Sequence, residues 1–422
     1  MHFRFMHAAD LHLDTPFSGL GQTSPEVAER LRDASLDAFD ALVELAIARD
    51  VAFLLLAGDI YDGAERGVRA QLRFRRGLER LSQRGIPTLV VHGNHDPLDG
   101  WSAVRSWPER VHVFGPELES KEVHRDGRRI ATVYGLSYPQ REVPENLALR
   151  FAGRAPAGTG GGLRIALLHC TVGAQSEHAP YSPCTLEDLR AAGMDYWALG
   201  HIHRHQVLSE RDPWVVYPGN LQGRSPKPSE QGTKGAVLVE ADETGILGVE
   251  FVALDRARFL ELPVDIAELE DLPALHAALG AAANEAAAAN PGRGLLLRAT
   301  LTGRGPLHAD LRRPEALSEL RRQLRDDAAA REPFVWWESI EDETLAMLDL
   351  DAIRARGDFA AEVLARADAL LSDPERRGAF MAAALKPLHT RRWTSEVDLP
   401  TEQELLDAGA ALALELLEAE GE

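Results

Sequence analysis

Five short polar clusters, each closing an apolar run, constrain this 422-residue chain more than any other feature. They are Asp10-Leu11-His12, Gly58-Asp59-Ile60-Tyr61-Asp62, Gly93-Asn94-His95-Asp96, His169, and Gly200-His201-Ile202-His203. The runs before them, residues 3–9, 51–57, 88–91, 163–168 and 196–199, have the length and apolar content of buried strands. Helical patterns lie between them. One covers 25–49, with Ser24 as its cap and Pro25 in first position; one covers 66–84, closed by Gly85 and Pro87; a third lies near 185–192. Strands alternating with helices predict a layered α/β fold. Ligands of open α/β sheets gather at the carboxyl ends of strands, so segments far apart in sequence are expected to meet on one rim.

The residue types in those clusters suit two divalent cations. Carboxylate oxygen with imidazole nitrogen favours Mn, Zn or Fe. The only cysteines are Cys170 and Cys184, which excludes a cysteine-based zinc site and a disulfide scaffold. Two ions ~3.5–4 Å apart need a shared anionic bridge. Asp59, freed from its strand by Gly58, is the natural bridge. Asp10 and His12, two apart in an extended segment, are expected to project to one side, as are His201 and His203. Asn94 offers a neutral amide oxygen. Cys170, one past His169 on a strand, is read as a small buried residue on the opposite face.

In this order the clusters resemble those of the calcineurin-like metallophosphoesterases. The opening His7-Ala8-Ala9-Asp10-Leu11-His12-Leu13-Asp14 is similar to that of bacterial DNA repair exonucleases of the SbcD and YhaO type. Thr15-Pro16-Phe17 and the segment from Tyr217 to Arg224 (YPGNLQGR) bring it nearer the YhaO branch. The resemblance implies a four-layered metallophosphoesterase sandwich. It implies one cation held by Asp10, His12 and His203 and another by Asn94, His169 and His201, with Asp59 bridging both. His95 would face the phosphate as transition-state stabiliser and proton donor, oriented by Asp62. His178, in the loop after His169, and Arg224 are expected on the nucleic-acid side. Mn is the expected cation, with Fe, Zn or Mg as alternatives. The implied function is two-metal DNA nuclease action in repair: phosphodiester hydrolysis at DNA ends, exonucleolytic, with endonucleolytic cleavage left open. The implied partners are DNA and an SMC-like coiled-coil ATPase of the SbcC/YhaN type; a homodimer is left open.

The chain changes character after residue 253. Strand, helix, strand, helix, strand at 258–264, 267–289, 294–302, 313–329 and 334–340 predict a small α+β capping domain over 254–345. Residues 346–422 read as a helical tail with amphipathic stretches at 358–371 and 402–418, a candidate docking region. Residues 1–253 are the expected nuclease domain. The net charge of −20 follows this division. Residues 1–250 carry 27 basic and 33 acidic side chains, a net of −6, and the rest carries −14. An acidic total is thus only a weak objection to a DNA partner. The arginines at 66, 69, 73, 75, 76, 80 and 84 form either a solvated helix face or a phosphate-contacting one. No run reaches the ~18 apolar residues of a membrane span, and no signal segment opens the chain, so a cytoplasmic protein is expected. Two other functions stay open: a small-substrate metallophosphodiesterase, such as one acting on cyclic nucleotides, and a mainly structural subunit of an SMC-like ATPase complex.

Overall fold

The computed structural model describes residues 1–17, 25–63, 67–154, 161–173, 181–347, 349–389 and 401–419. Ser24, Arg66 and His178 lie outside the described residues. The chain packs as two compact units: Met1–Leu262 with Gly280–Ala299 and Arg321–Ile340, and Pro263–Leu279 with Thr300–Leu320 and Glu341–Glu422.

In the first unit the elements run β1 (Phe3–Ala8), α1 (Pro25–Arg32), α2 (Ala34–Ala48), β2 (Leu54–Ala57), α3 (Val68–Gln83), β3 (Thr88–Val91), β4 (Val111–Val113), β5 (Glu119–Arg125), β6 (Arg128–Gly135), β7 (Leu163–His169), α4 (Leu186–Ala191), β8 (Tyr196–Gly200), β9 (Gln206–Glu210), β10 (Trp214–Tyr217), β11 (Gly235–Asp242) and β12 (Gly245–Ala253). They make two six-stranded sheets, ordered β12-β11-β1-β2-β3-β4 and β5-β6-β7-β8-β10-β9. Parallel pairing runs from β1 through to the edge strand β4 in the first, and through β6, β7, β8 and β10 in the second.

Strand alternation explains the layering. Phe53, Leu55 and Ala57 face Ile165, Leu167 and Val216 across the gap between the sheets. Phe5 stacks on Phe53 there, ring centroids 4.7 Å apart. The alternate residues Leu54 and Leu56 pack on Phe39 and Leu42 of α2 and on Phe74 and Leu78 of α3. On the far side Ala166, Leu168 and Cys170 pack against Leu147, Phe151 and Leu189. The result is helices, sheet, sheet, helices, the expected four-layered sandwich. Parallel strands buried on both faces must be apolar almost throughout, which is why these runs read so clearly. His169 shares the inner parity of Ile165 and Leu167. Cys170 turns outward, buried, its Sγ 3.8 Å from that of Cys184.

Some features differ from expectation. The helix over 25–49 breaks at Asp33 into α1 and α2. The β5–β6 hairpin, β4, β9 and β12 are additions that the apolar patterning does not predict.

Residues 257–342 add β13 (Ala257–Asp265), α5 (Leu272–Ala289), β14 (Gly294–Thr302), α6 (His308–Leu311), α7 (Ala316–Ala328) and β15 (Val335–Asp342), with the strands in one sheet ordered β13-β14-β15. The second unit also holds α8 (Leu350–Arg356), α9 (Phe359–Ser372), α10 (Pro374–His389) and α11 (Glu402–Ala419). Asp349 and Asp358 cap α8 and α9 by accepting from Ala352 N and Ala361 N. Ile353, Ala360, Leu364 and Leu414 form the small core of this helical part. Among the described residues no helix is long and apolar enough to cross a membrane.

Candidate metal centre

Each predicted cluster sits just past the end of a parallel strand: Asp10 and His12 after β1, Asp59 after β2, Asn94 and His95 after β3, His169 closing β7, and His201 and His203 after β8. The first two segments stay paired beyond the sheet. Asp10 N donates to Gly58 O at 3.1 Å, His12 N to Asp59 O at 3.0 Å, and Leu13 N to Ile60 O at 2.9 Å. Their convergence does not come from strand alternation. Asp10, His12 and Asp59 have φ of 51°, 43° and 51°, and His201 has 103°. Left-handed backbone at residues with side chains costs roughly 1–3 kcal/mol each and persists only where its surroundings enforce it.

The side chains meet. Donor atoms of Asp10, His12 and His203 lie within 4.8 Å of one another, as do those of Asp10, Asp59 and His169, and those of His12, Asp62 and His95. His12 Nε2 is 3.3 Å from His203 Nε2 and 3.9 Å from Asp59 Oδ2. His169 Nε2 is 2.9 Å from Asn94 Oδ1 and 3.4 Å from Asp59 Oδ2. The His201 ring lies 5.3 Å from that of His169. Asp10, His12, Asp59, Asn94, His169 and His201 are all buried.

Hydrogen bonds on the outer ring nitrogens set the direction of two of these histidines. His169 Nδ1 donates to Ala57 O at 2.9 Å, which directs Nε2 at the oxygens of Asn94 and Asp59, where a cation would take the place of its proton. His203 Nδ1 donates to Glu230 Oε1 at 2.6 Å, which turns Nε2 toward His12. A divalent cation among these donors would satisfy them together. Carboxylates, imidazoles and an amide form a donor set for borderline divalent ions. Burial, reinforced by the charge of Arg224, holds His12 well below the usual histidine range and so neutral. Burial pushes Asp10 up to about 6 against the pull of His169 and His203. Burial also works against ionised Asp59, but the charge and hydrogen bond of His169 outweigh it and keep that carboxyl well below its usual range.

His95 stands at the rim, its side chain 34 % exposed, with its backbone N–H donating to Asp59 Oδ1 at 2.9 Å. Its Nδ1 lies 2.6 Å from Asp62 Oδ1. The loop holding it is tied down by Asp96, which accepts from Gly93 N, Ile60 N and His92 Nδ1 at 2.9, 3.0 and 2.9 Å. Asp96 stands in the Gly-Asn-His-Asp cluster, but its residue type there does not reveal this anchoring role. Glu230 is a site residue that sequence reasoning misses altogether. Arg224 is 11 % exposed and lies 3.4 Å from Asp62 Oδ2 and 3.6 Å from Glu230 Oε1.

The arginines of α3 turn largely toward α2. Arg73 reaches Asp37 and Asp40 at 2.6 and 2.7 Å, Arg69 pairs with Asp33, and Arg80 lies 3.8 Å from Glu44.

The calcineurin-like phosphoesterase family matches residues 3–205, the part that carries all five clusters, which defines the class of this protein as a metal-dependent phosphoesterase. A second family, the middle domain of metallophosphoesterase YhaO, matches residues 259–345. The uncharacterized metallophosphoesterase YhaO of Bacillus subtilis is 38 % identical over 343 residues, 81 % of this chain and 81 % of that one. The chain belongs to this YhaO family of calcineurin-like metallophosphoesterases. More distant relatives include the SbcD component of nuclease SbcCD from Bacillus subtilis, 24 % identical over 65 % of this chain and 82 % of that one. The DNA double-strand break repair protein Mre11 of Aeropyrum pernix is 26 % identical over 63 % of this chain and 64 % of that one. The chain thus spans slightly less than two thirds of that archaeal relative.

Proposed function

We propose that this protein is a two-cation DNA nuclease that hydrolyses phosphodiesters at DNA ends in repair, with Mn as its working metal. The single observation behind this reading is the meeting of five strand-end segments in one buried set of carboxylate, imidazole and amide groups beside a carboxylate-held histidine. Relatives named as a nuclease and as a double-strand break repair protein support DNA as the substrate. In this reading Asp10, His12 and His203 hold one cation and Asn94, His169 and His201 the other, with Asp59 shared. Two cations held there would polarise a phosphate and lower the pKa of a water nucleophile. His95 acts beside them: Asp62 holds its Nδ1 proton, and Nε2 donates to the departing oxygen. Asp96 keeps the His95 loop in register with Asp59. Residues 1–253 form the nuclease domain, 254–345 a cap and 346–422 a tail, in a protein of the cytoplasm.

The proposed partner is an SMC-like coiled-coil ATPase docking on the tail. Supporting this, the helices of the second unit border an apolar groove of about 780 Å³ that includes Phe380, Met381, Leu405 and Leu406. Phe359, Leu412 and Leu416 are exposed on the same helices, outside the groove lining. The deciding experiment is a Mn²⁺ nuclease assay on blunt, hairpin and single-stranded DNA, with and without the ATPase, using Asp59→Asn as control. Cleavage lost in that variant supports the proposal. Hydrolysis of cyclic AMP with DNA left intact would replace it with the small-substrate reading.

A further inference from the structure

We infer that Glu230 is a positioning residue of the metal centre, fixing the tautomer and direction of the His203 ring, and that Arg224 ties it to the Asp62–His95 pair. The inference rests on the proposed role of His203 as a ligand.

Glu230 closes a short 3-10 turn, Pro228–Glu230, between β10 and β11 and is 6 % exposed. A buried carboxylate is costly unless its oxygens are satisfied. Here Oε1 accepts the His203 Nδ1 proton at 2.6 Å, and Oε2 accepts from Asn220 Nδ2 and from Arg224 N, each at 2.9 Å. Its hydrogen bonds therefore include a strong one to a ring whose other nitrogen faces His12 Nε2 at 3.3 Å. A neutral imidazole carries one ring hydrogen. A carboxylate that only accepts keeps this hydrogen on Nδ1 and makes Nε2 more basic, the arrangement that supports metal-binding histidines.

The surrounding segment is built around His203. Lys234 Nζ donates to His203 O at 2.7 Å, and Asn220 N donates to the same oxygen at 3.3 Å. A β-carbon on Gly219, whose φ is +80°, would meet that oxygen at 2.9 Å, so the approach needs glycine there. Arg224 then spans two carboxylates with one planar group: Nη1 is 3.4 Å from Asp62 Oδ2 and Nη2 is 3.6 Å from Glu230 Oε1. One guanidinium thus links the carboxylate that orients the proposed proton donor to the one that orients a proposed ligand.

The test uses the full-length chain labelled with 15N-histidine, metal-free, in wild type and in the variants Glu230→Ala and Glu230→Gln. Ring 15N shifts report the His203 tautomer, assigned by loss of the signal in His203→Gln. Mn²⁺ titration followed by electron paramagnetic resonance reports both cation affinities. The expected result is an Nδ1–H tautomer in wild type that shifts toward Nε2–H in Glu230→Ala. One of two Mn²⁺ should weaken by about 10–100-fold, with the other within twofold. A purely structural loss would leave the tautomer unchanged. Glu230→Gln keeps the shape of the side chain and serves if the alanine variant does not fold. Wild type binding two Mn²⁺ with tautomer and affinities unchanged in a folded variant overturns this inference and leaves the nuclease reading intact. Wild type that binds no Mn²⁺ pair overturns both.

Discussion

His95 Nδ1 lies 2.6 Å from Asp62 Oδ1, and this contact governs both where the ring carries its proton and how tightly it holds it. Burial alone would lower the His95 pKa, but the hydrogen bond to Asp62, with the charges of Asp59 and Asp62, raises it above its ordinary value. In its proposed role as proton donor His95 must be charged to act, so turnover should fall as pH rises through this raised pKa. Asp62→Asn removes the carboxylate and lowers the pKa. The alkaline limb of the kcat profile on a DNA oligonucleotide should move to lower pH, with a loss at pH 8 of about 10–100-fold. A limb that stays in place would separate Asp62 from the proton donor.

His95→Ala should cost about 10²–10⁴-fold on DNA while both cations stay bound. The loss should shrink on bis(p-nitrophenyl) phosphate, whose phenolate departs without a proton. Equal losses on the two substrates would assign His95 to phosphate binding and not to proton transfer.

A β-carbon at Gly93 would lie 2.4 Å from Asp59 Oδ1 and 2.8 Å from both Cε1 and Nδ1 of His169. Backbone and two buried side chains cannot all stay in place. Overpacking of this kind costs about 1–3 kcal/mol, and here it falls on proposed ligands. Gly93→Ala should therefore weaken at least one Mn²⁺ by tenfold or more in a calorimetric titration. The metal-free protein should still fold, with a urea midpoint lowered correspondingly. Wild-type affinity for both ions in this variant would show that Asp59 and His169 need not lie so close.

Arg73 donates to Asp37 and Asp40, and this commits a charge that the sequence left open to DNA. Arg73→Gln should lower stability by only about 0.5–1 kcal/mol, as for other partly exposed ion pairs. DNA affinity and its salt dependence should remain those of wild type. A salt slope reduced by about one would instead mark a phosphate contact.

What was legible in the sequence was what burial and punctuation make legible. β2 and β7 are covered on both faces, so they read as unbroken apolar runs, and glycines flag where β2, β3 and β8 give way to polar residues. The opening of the site by left-handed backbone at Asp10, His12, Asp59 and His201 leaves no mark in residue type. Strand alternation predicted the right neighbours there by the wrong route. β5 (ESKEVHR) escapes a reading by apolar runs because its burial is confined largely to Val123 and its charges suit an exposed edge. Its turn at Asp126-Gly127 was an available hairpin signal. Glu230 had none: it is a single acid in a short 3-10 turn between strands, and only the fold brings it to His203.

His169 offers the sharpest test of whether a cation belongs among these side chains. Burial disfavours its charged form, but Asp59 outweighs this and raises its pKa to about 9 in the metal-free site. At neutral pH a proton therefore stands where the proposed metal would bind, and binding must expel it. Mn²⁺ affinity should rise about tenfold per pH unit below pH 9 and level off above it, with a steeper dependence below about 6, where Asp10 also holds a proton. Without metal the sign reverses. A histidine pKa raised from 6.5 to about 9 contributes stability that is complete below pH 6.5 and is lost as pH rises through 9. Calorimetric titrations in buffers of different ionisation enthalpy should count about one proton released on filling the His169 site at pH 7.5. Chelator-treated protein should melt at lower temperature as pH rises from 6.5 to 9. Release of no proton would mean that His169 is already neutral, and that the short approach of its Nε2 to Asn94 and Asp59 is not held by a proton awaiting exchange.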